Sequence, residues 1–407
     1  MSFPLVKVGE VSLFVRGVTF TPDDQVEPFS PDSSVVMRTK NVQVAGLDES
    51  DLIAIPSKLV KRTEQILQCG DILISSANSW ELVGKASYVS GLSYLATAGG
   101  FISIVRAEKN LIDSRYLYHW ISSPESQHKI RHCGRQTTNI SNLDVERFKE
   151  LEIPLPPLEE QKRIAAILDK ADAIRRKRQQ AIKLADDFLR SVFLEMFGDP
   201  VTNPKGWDRG VFGDVIDVLT DYHANGSYET LSENVTLLDE PDYAYMVRTT
   251  DLEKGNFTDN VKYIDRHAYE YLTKSKVFGG EIIINKIGSA GAVYLMPKLG
   301  RPVSLAMNQF MIRCNEESCS QFFYYQLLTN ACQREILKRV QGAVTKTITK
   351  DAVRSIPMII PSFETQKKFS QIVNKFESGT IRRFKDASDF DHILFKSLSH
   401  SAFQGNI

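Results

Sequence analysis

Hydrophobic residues recur at alternating spacings of three and four through Ile164, Ile167, Ala171 and Ile174, then beyond Arg178 through Ala181, Ala185, Phe188 and Val192. This heptad seam predicts one long helix with an apolar stripe along its length. Pro154-Leu155-Pro156-Pro157-Leu158-Glu159-Glu160-Gln161 opens it. The prolines cannot continue a strand, and the glutamates fall in a first turn whose unpaired N–H groups favour negative charge. Gly198 followed by Pro200 gives the stop. At 1.5 Å per residue, about 40 residues make a rod of roughly 60 Å. Such a stripe needs a partner helix, and Phe369, Ile372, Phe376, Phe390 and Ile393 fall at equivalent positions near the C-terminus, with Arg383 opposite Arg178. Gly379 and Asp386 occupy apolar positions there, so the second seam is the poorer.

That equivalence is one of five. Pro156, Glu159 and Gln161 match Pro361, Glu364 and Gln366 at an offset of 205 residues. Val8–Val11 matches Phe212–Val215 at 204, while Met37–Val42 matches Val247–Leu252 and Gly70–Ile74 matches Gly280–Ile284, both at 210. Gly134–Ile140 matches Gly342–Ile348 at 208. Five matches in one order within so narrow a band of offsets indicate two diverged copies of one unit. In each copy short β-like runs alternate with Gly and polar turns, as at 71–75, 100–105, 281–285 and 309–312, and helical patterns follow at 114–122 and 319–328. The expected fold is α+β: two tandem mixed α/β units at 1–156 and 199–361, and two long helices at 157–198 and 362–407. The helices are expected to run antiparallel as an intramolecular coiled coil, with pseudo-twofold symmetry from the duplication.

Composition changes this picture little but excludes much. The chain has 407 residues, 42% hydrophobic and 25% charged, with 50 basic and 50 acidic side chains. No segment defined above departs from neutrality by more than two charges, so any nucleic-acid contact must come from local patches. There is no run of eighteen apolar residues and no signal peptide, which points to a cytoplasmic protein. The five cysteines are scattered, and neither Cys314 with Cys319 nor His128 with His132 has the further ligands of a metal site. Gly84-Lys85 lacks the rest of a phosphate loop, Gly99-Gly100 precedes a strand rather than a helix, and Gly288-Ser289-Ala290-Gly291 is a turn rather than a nucleophile elbow. These absences argue against an enzyme and against any bound metal or cofactor.

Two pairs of equivalent loops carry binding chemistry instead. The first is Gly134-Arg135-Gln136-Thr137-Thr138-Asn139 with Gly342-Ala343-Val344-Thr345-Lys346-Thr347, and Lys350 just beyond. Arg suits guanine edges, Gln and Asn suit adenine, and Lys and Thr suit phosphates. A solvated polar loop has the same composition. The second pair, Ser75-Ser76-Ala77-Asn78-Ser79 and Asn285-Lys286-Ile287-Gly288-Ser289, follows the apolar run of each copy and reads equally as a hairpin turn. The frame residues agree between copies while those between them differ, as expected of two readers of different targets on one scaffold.

The proline–glutamine motif before a long helix, with Gly198-Asp199-Pro200-Val201-Thr202-Asn203-Pro204-Lys205-Gly206-Trp207 leading into a second copy, closely resembles the specificity subunits of type I restriction-modification systems. The resemblance covers essentially the whole chain. It implies that each globular unit is a target recognition domain for one half of a split double-stranded DNA sequence. It also implies that the helices set the spacing and dock two methyltransferase subunits, to which restriction subunits add. Pro156, Glu159, Gln161, Ile164, Ile167, Ile174 and Arg178, with Pro361, Glu364, Gln366, Phe369, Ile372 and Arg383, would form that seam and docking region. S-adenosylmethionine and ATP with magnesium would belong to the partners. The second motif departs as Pro-Ser-Phe-Glu-Thr-Gln, which bears on whether the two methyltransferase sites are equally strong. A non-enzymatic scaffold whose duplicated domains bind other proteins is the competing reading.

Overall fold

The computed structural model describes residues 3–44, 46–136, 140–381, 394–395 and 397–405. It divides into two compact units, one of residues 1–181 with 384–407 and the other of residues 182–383. The division falls inside the long helix, which runs unbroken from Leu158 to Phe197, so each unit carries part of it.

In the first unit the two runs read as β-like are the central strands of an antiparallel sheet in the order Ser12–Arg16, Ile102–Ala107, Ile72–Ser75, Ala86–Tyr88. Its central strands bury Ile72, Leu73, Ile74, Ile102, Ile104 and Val105, because both faces are covered. A second sheet places Ser33–Met37 between a parallel strand, Ala96–Ala98, and an antiparallel one, Ile53–Pro56. Helices Ser114–Ser122 and Pro124–His132 close the other face. Asp113 caps the first by accepting from the Tyr116 N–H, and Ser123 caps the second, whose first residue is proline. The strand Leu5–Lys7 pairs with Glu152–Pro154, so the start of the unit is stitched to its exit.

The second unit repeats the two larger sheets of this plan. Its antiparallel sheet has the order Ile216–Asp221, Gln309–Cys314, Ile282–Asn285, Val293–Leu295. Its other sheet again holds one parallel pair, Ala244–Val247 with Val303–Leu305, flanked by Lys262–Ile264 and by an additional strand, Lys276–Val277. Helices Ser320–Leu327 and Asn330–Arg339 follow, and Arg209–Val211 pairs with Pro357–Ile359 as in the first unit. The internal duplication inferred from five short matches is thus present in the topology of both units.

The helix buries a stripe that coincides with the strict seam only in part, at Ile164 and Ala185. In its first half Ile164, Ala165 and Leu168 are buried against Tyr116, Leu117 and Trp120, while Ile174 is 48% exposed. In its second half Ala185, Leu189, Phe193 and Phe197 are buried, and Phe188 is 50% exposed. Ile167, Ala171, Arg178 and Ala181 are half-buried. The spacing of three and four assumes only a partner helix, whereas each end of this helix also lies on its own unit, and the set that unit covers decides burial.

Partner segments do pack on both halves. In the second unit Phe363–Phe376 forms a helix whose Phe369 ring lies 5.4 Å from Phe193 and 5.7 Å from Phe197, and Phe376 lies 5.1 Å from Phe188. Residue numbers rise along one helix as they fall along the other, so this pair is antiparallel. Ile372, expected in the seam, is 41% exposed. In the first unit Arg175 stacks over Phe395 at 5.1 Å, and Phe403 packs on Tyr116 at 5.3 Å. Arg383, Phe390 and Ile393 lie outside the described residues.

The helix ends at Gly198, whose φ is +75° and where a Cβ would lie 2.6 Å from Pro204. Lys205 donates to the carbonyl of Met196 at 3.0 Å and Trp207 Nε1 to that of Phe197 at 3.1 Å. The Gly198–Trp207 motif therefore serves as the cap of this helix, satisfying carbonyls that would otherwise lack partners.

Candidate nucleic-acid interface

Each glutamine of the repeated motif joins helix to unit. Gln161 is fully buried, and its Oε1 accepts from the Asp113 N–H at 2.8 Å. Its Nε2 donates to the carbonyls of Leu111 at 3.2 Å and Pro156 at 2.8 Å. Gln366, 1% exposed, repeats this by accepting from the Cys319 N–H at 2.9 Å and donating to Pro361 at 2.8 Å. Both amides are spent on backbone inside their unit. Pro156 and Pro361 are buried with them, while Glu159 and Glu364 are exposed.

A second joint lies about two turns on. In the first unit Asp169 accepts from His119 at 2.7 Å and from Arg115 Nε at 3.1 Å, and the Arg115 guanidinium covers the Tyr88 ring at 4.3 Å. Burial works against the charge on Asp169, yet the hydrogen bonds from His119 and Arg115 outweigh it and hold the carboxyl at about 2. At the equivalent place in the second unit Gln321 donates to Asn374 at 3.2 Å. The joint is an ion pair in one copy and, in the other, an uncharged amide that also reaches Glu377 at 3.5 Å.

Those joints fix each sheet, and the sheets carry the candidate loops. In the first unit the strand Gly134–Gln136 pairs with Ser141–Leu143, which pairs in turn with Ala77–Asn78. Arg135 stands opposite Asn142, Gln136 opposite Ser141, and Ser141 opposite Asn78. Two loops picked separately along the sequence thus form one small sheet. The backbone N–H of Ser76 donates to the Phe101 carbonyl at 2.9 Å, so Phe101, 66% exposed, lies beside this sheet. Beside it opens a cleft of about 320 Å³ lined by Phe20, Arg38, Thr39 and Phe101. Asn78 spends its side chain locally, donating to Ser75 Oγ at 3.1 Å and accepting from the Ser79 N–H at 2.9 Å. Thr137 and Asn139 lie outside the described residues.

The second unit makes the same junction with other residues. Ile287 bridges Thr347, the Gly288 N–H donates to the Lys346 carbonyl at 3.2 Å, and the Ile348 N–H donates to that of Lys286 at 3.1 Å. Gln341 and Thr347 exchange two backbone bonds of 2.8 Å, closing a turn with Val344 98% exposed at its apex and Lys346 exposed beside it. Gly342 has φ +100°, and a Cβ there would fall 2.1 Å from the Thr345 carbonyl oxygen, so the turn requires glycine. Asn285 departs from its expected role in contacting DNA. As the last strand residue it is fully buried and donates to Ser289 Oγ at 2.8 Å, so its side chain faces the protein. Lys286 and Lys350 converge on Asp221, at 3.2 and 3.4 Å.

Asp221 and Phe101 were not singled out in the sequence. Asp221 could not be found by repeat matching, because the register of the two sheets places Arg16 at the corresponding point of the first copy. Phe101 precedes an apolar strand and reads as its first core residue. Among the described residues no group of His, Cys, Asp and Glu could hold a metal ion, and no helix is long and apolar enough to cross a membrane.

Comparisons with known proteins agree with this doubled plan. The family described as the type I restriction modification DNA specificity domain matches twice, over residues 26–184 and 204–385. The specificity subunit of type I restriction enzyme EcoKI of Escherichia coli is 29% identical over 192 residues, 46% of this chain and 41% of that one. The match thus spans less than half of that relative. The specificity subunit of type I restriction enzyme MjaVIII of Methanocaldococcus jannaschii is 24% identical over 347 residues, 80% of this chain and 76% of its own. The crystal structure of the S subunit of a type I restriction-modification system from M. genitalium covers 99% of this chain and 96% of its own, with a TM-score of 0.53 at 16% identity, a likeness of fold. Matched by the family in both of its copies, this chain belongs to the DNA specificity subunits of type I restriction-modification systems.

Proposed function

We propose that this chain reads a bipartite double-stranded DNA target, one half-site per unit, and docks two methyltransferase subunits, to which restriction subunits add. The observation that carries the reading is the loop junction made twice on one topology. Both units bring the turn after the central strand against the Gly-started loop, and the residues so gathered differ, with Ser76, Asn78, Arg135 and Gln136 in the first and Lys286, Lys346, Thr347 and Lys350 in the second. A shared frame with unlike edges suits two sequences read by one protein.

The long helices act as an antiparallel intramolecular coiled coil with pseudo-twofold symmetry from the duplication. The exposed Glu159 and Glu364, at the helix starts, are available to a docking methyltransferase. The chain does no chemistry of its own: S-adenosylmethionine and ATP with magnesium belong to the partner subunits, in the cytoplasm. Exchanging residues 1–150 for those of a relative changes one half-site of the methylated sequence and leaves the other, as methylome sequencing of the host would reveal. Both halves altered, or neither, refutes one reader per unit. A protein-binding scaffold predicts instead that the complex retards methylated, unmethylated and unrelated duplexes alike in a gel shift.

A further inference from the structure

We infer that Asp221 is a positioning residue for DNA reading by the second unit, holding Lys286 and Lys350 in place and withholding them from indiscriminate contact with phosphates. The inference rests on the function proposed above and assigns a role to a residue that itself touches no DNA.

The geometry joins three segments. Asp221 ends the strand Ile216–Asp221. Lys286 follows the strand Ile282–Asn285, its backbone pinned by its own N–H donating to Asn308 and its carbonyl accepting from Ile348. Lys350 begins a short helix capped by Thr349. The two ammonium groups reach different oxygens of one carboxylate, Lys286 at Oδ2 and Lys350 at Oδ1, and both lie over the ring of Phe310, at 5.7 and 5.9 Å. The Asp221 side chain is only 10% exposed, so it does not reach a base edge. The lysines are 27% and 35% exposed and do reach solvent.

Two cations beside one buried anion leave one net positive charge, and the anion is what allows the cations to sit close together. An ammonium on a four-carbon stem is otherwise a mobile point charge that finds any phosphate. Phosphate contacts carry no sequence information, whereas a lysine fixed over a ring presents its donors in one place. The described residues of the first unit hold no such device: its sheet carries Arg16 where Asp221 stands, and Ser76 occupies the place of Lys286. The role is therefore confined to one half-site.

The test uses the full chain with its methyltransferase partner, on a duplex carrying the methylated sequence found for the host and on duplexes scrambled in one half-site or the other. Affinity is measured across a salt series. Asp221→Asn is expected to bind scrambled DNA about 3- to 10-fold more tightly, with a salt slope steeper by about 1 to 2. Discrimination should fall about tenfold at the half-site of the second unit and stay unchanged at the other. Asp221→Glu should recover most of the discrimination, and Asp221→Asn combined with Lys286→Met and Lys350→Met should lose the added slope. Asp217→Asn, exposed on the same strand, controls for net charge and should behave as wild type. If Asp221→Asn folds poorly, Lys286→Met with Lys350→Met in the otherwise unaltered chain must lower discrimination at the same half-site alone. Uniform weakening on all duplexes with an unaltered slope means a structural role and overturns the inference. A wild-type complex without preference for its methylated sequence overturns the proposed function and this inference with it, whereas an intact preference that Asp221→Asn leaves untouched overturns this inference alone.

Discussion

Replacing Gln161 with leucine keeps the volume of the side chain and removes its amide. Three backbone groups then lose a partner inside the protein: the Asp113 N–H and the carbonyls of Leu111 and Pro156. At about 1 kcal/mol net for each hydrogen bond, with more wherever the abandoned group stays dry, the loss is about 3 to 5 kcal/mol. Gln366→Leu strands only the Cys319 N–H and the Pro361 carbonyl, so about 2 to 3 kcal/mol is expected. The cost should appear locally, because each glutamine fixes the first turn of its helix to one unit. Native-state hydrogen exchange is the suitable assay, reading the opening free energy of amides around Ile164 to Leu168 in one variant and around Phe369 to Val373 in the other. A loss below about 1 kcal/mol at Gln161, or a larger loss at Gln366 than at Gln161, would refute the assignment of these residues as latches.

Other expectations follow from the joints and the core. Asp169 is held at about 2, below the usual carboxylate value, so the stability it adds is present above about pH 4 and is lost as pH falls toward 2. Exchange protection in the first half of the long helix should weaken over that window, with Asp169→Asn abolishing the difference from the second half, where Gln321 and Asn374 do not titrate. Phe193→Ala empties a fully buried site against Phe197, Phe322 and Phe369 and should cost about 3 to 5 kcal/mol, measured by denaturant unfolding of the second unit. Gly342→Ala forces a methyl toward the Thr345 carbonyl at positive φ and should cost at least about 1 kcal/mol, with weaker recognition confined to the half-site of the second unit.

The duplication and most strands were legible because their signals are apolar and local: Ile72 to Ile74 and Ile282 to Ile284 announce buried strands wherever they stand. The buried stripe of the long helix was legible only at Ile164 and Ala185. Leu168, Leu189 and Phe193 pack on Tyr116, Trp120 and Phe322, and nothing in the helix's own spacing reports a partner so far away in sequence. The meeting of the two candidate loops escaped for the same reason, since pairing between residues 77–78 and 141–142 is a product of sheet topology. Asn285 was misread because a polar residue after an apolar run looks like a turn, yet here the strand continues through it into the interior. Gln161 was recognisable as a marker, but two of its three partners are backbone atoms some 50 residues upstream.

The paired joints amount to a substitution experiment already performed inside one molecule. Where Arg115 meets Asp169 in one copy, Gln321 meets Asn374 in the other, and the helix docks in both. Partly exposed ion pairs add only about 0 to 1 kcal/mol, so drift could trade charge for amide there at small cost. A glutamine bonded to backbone has no such freedom, because peptide groups present the same donors and acceptors whatever side chains they carry. The two copies have therefore kept their shared grammar in contacts to the main chain, leaving side-chain partners as vocabulary free to diverge.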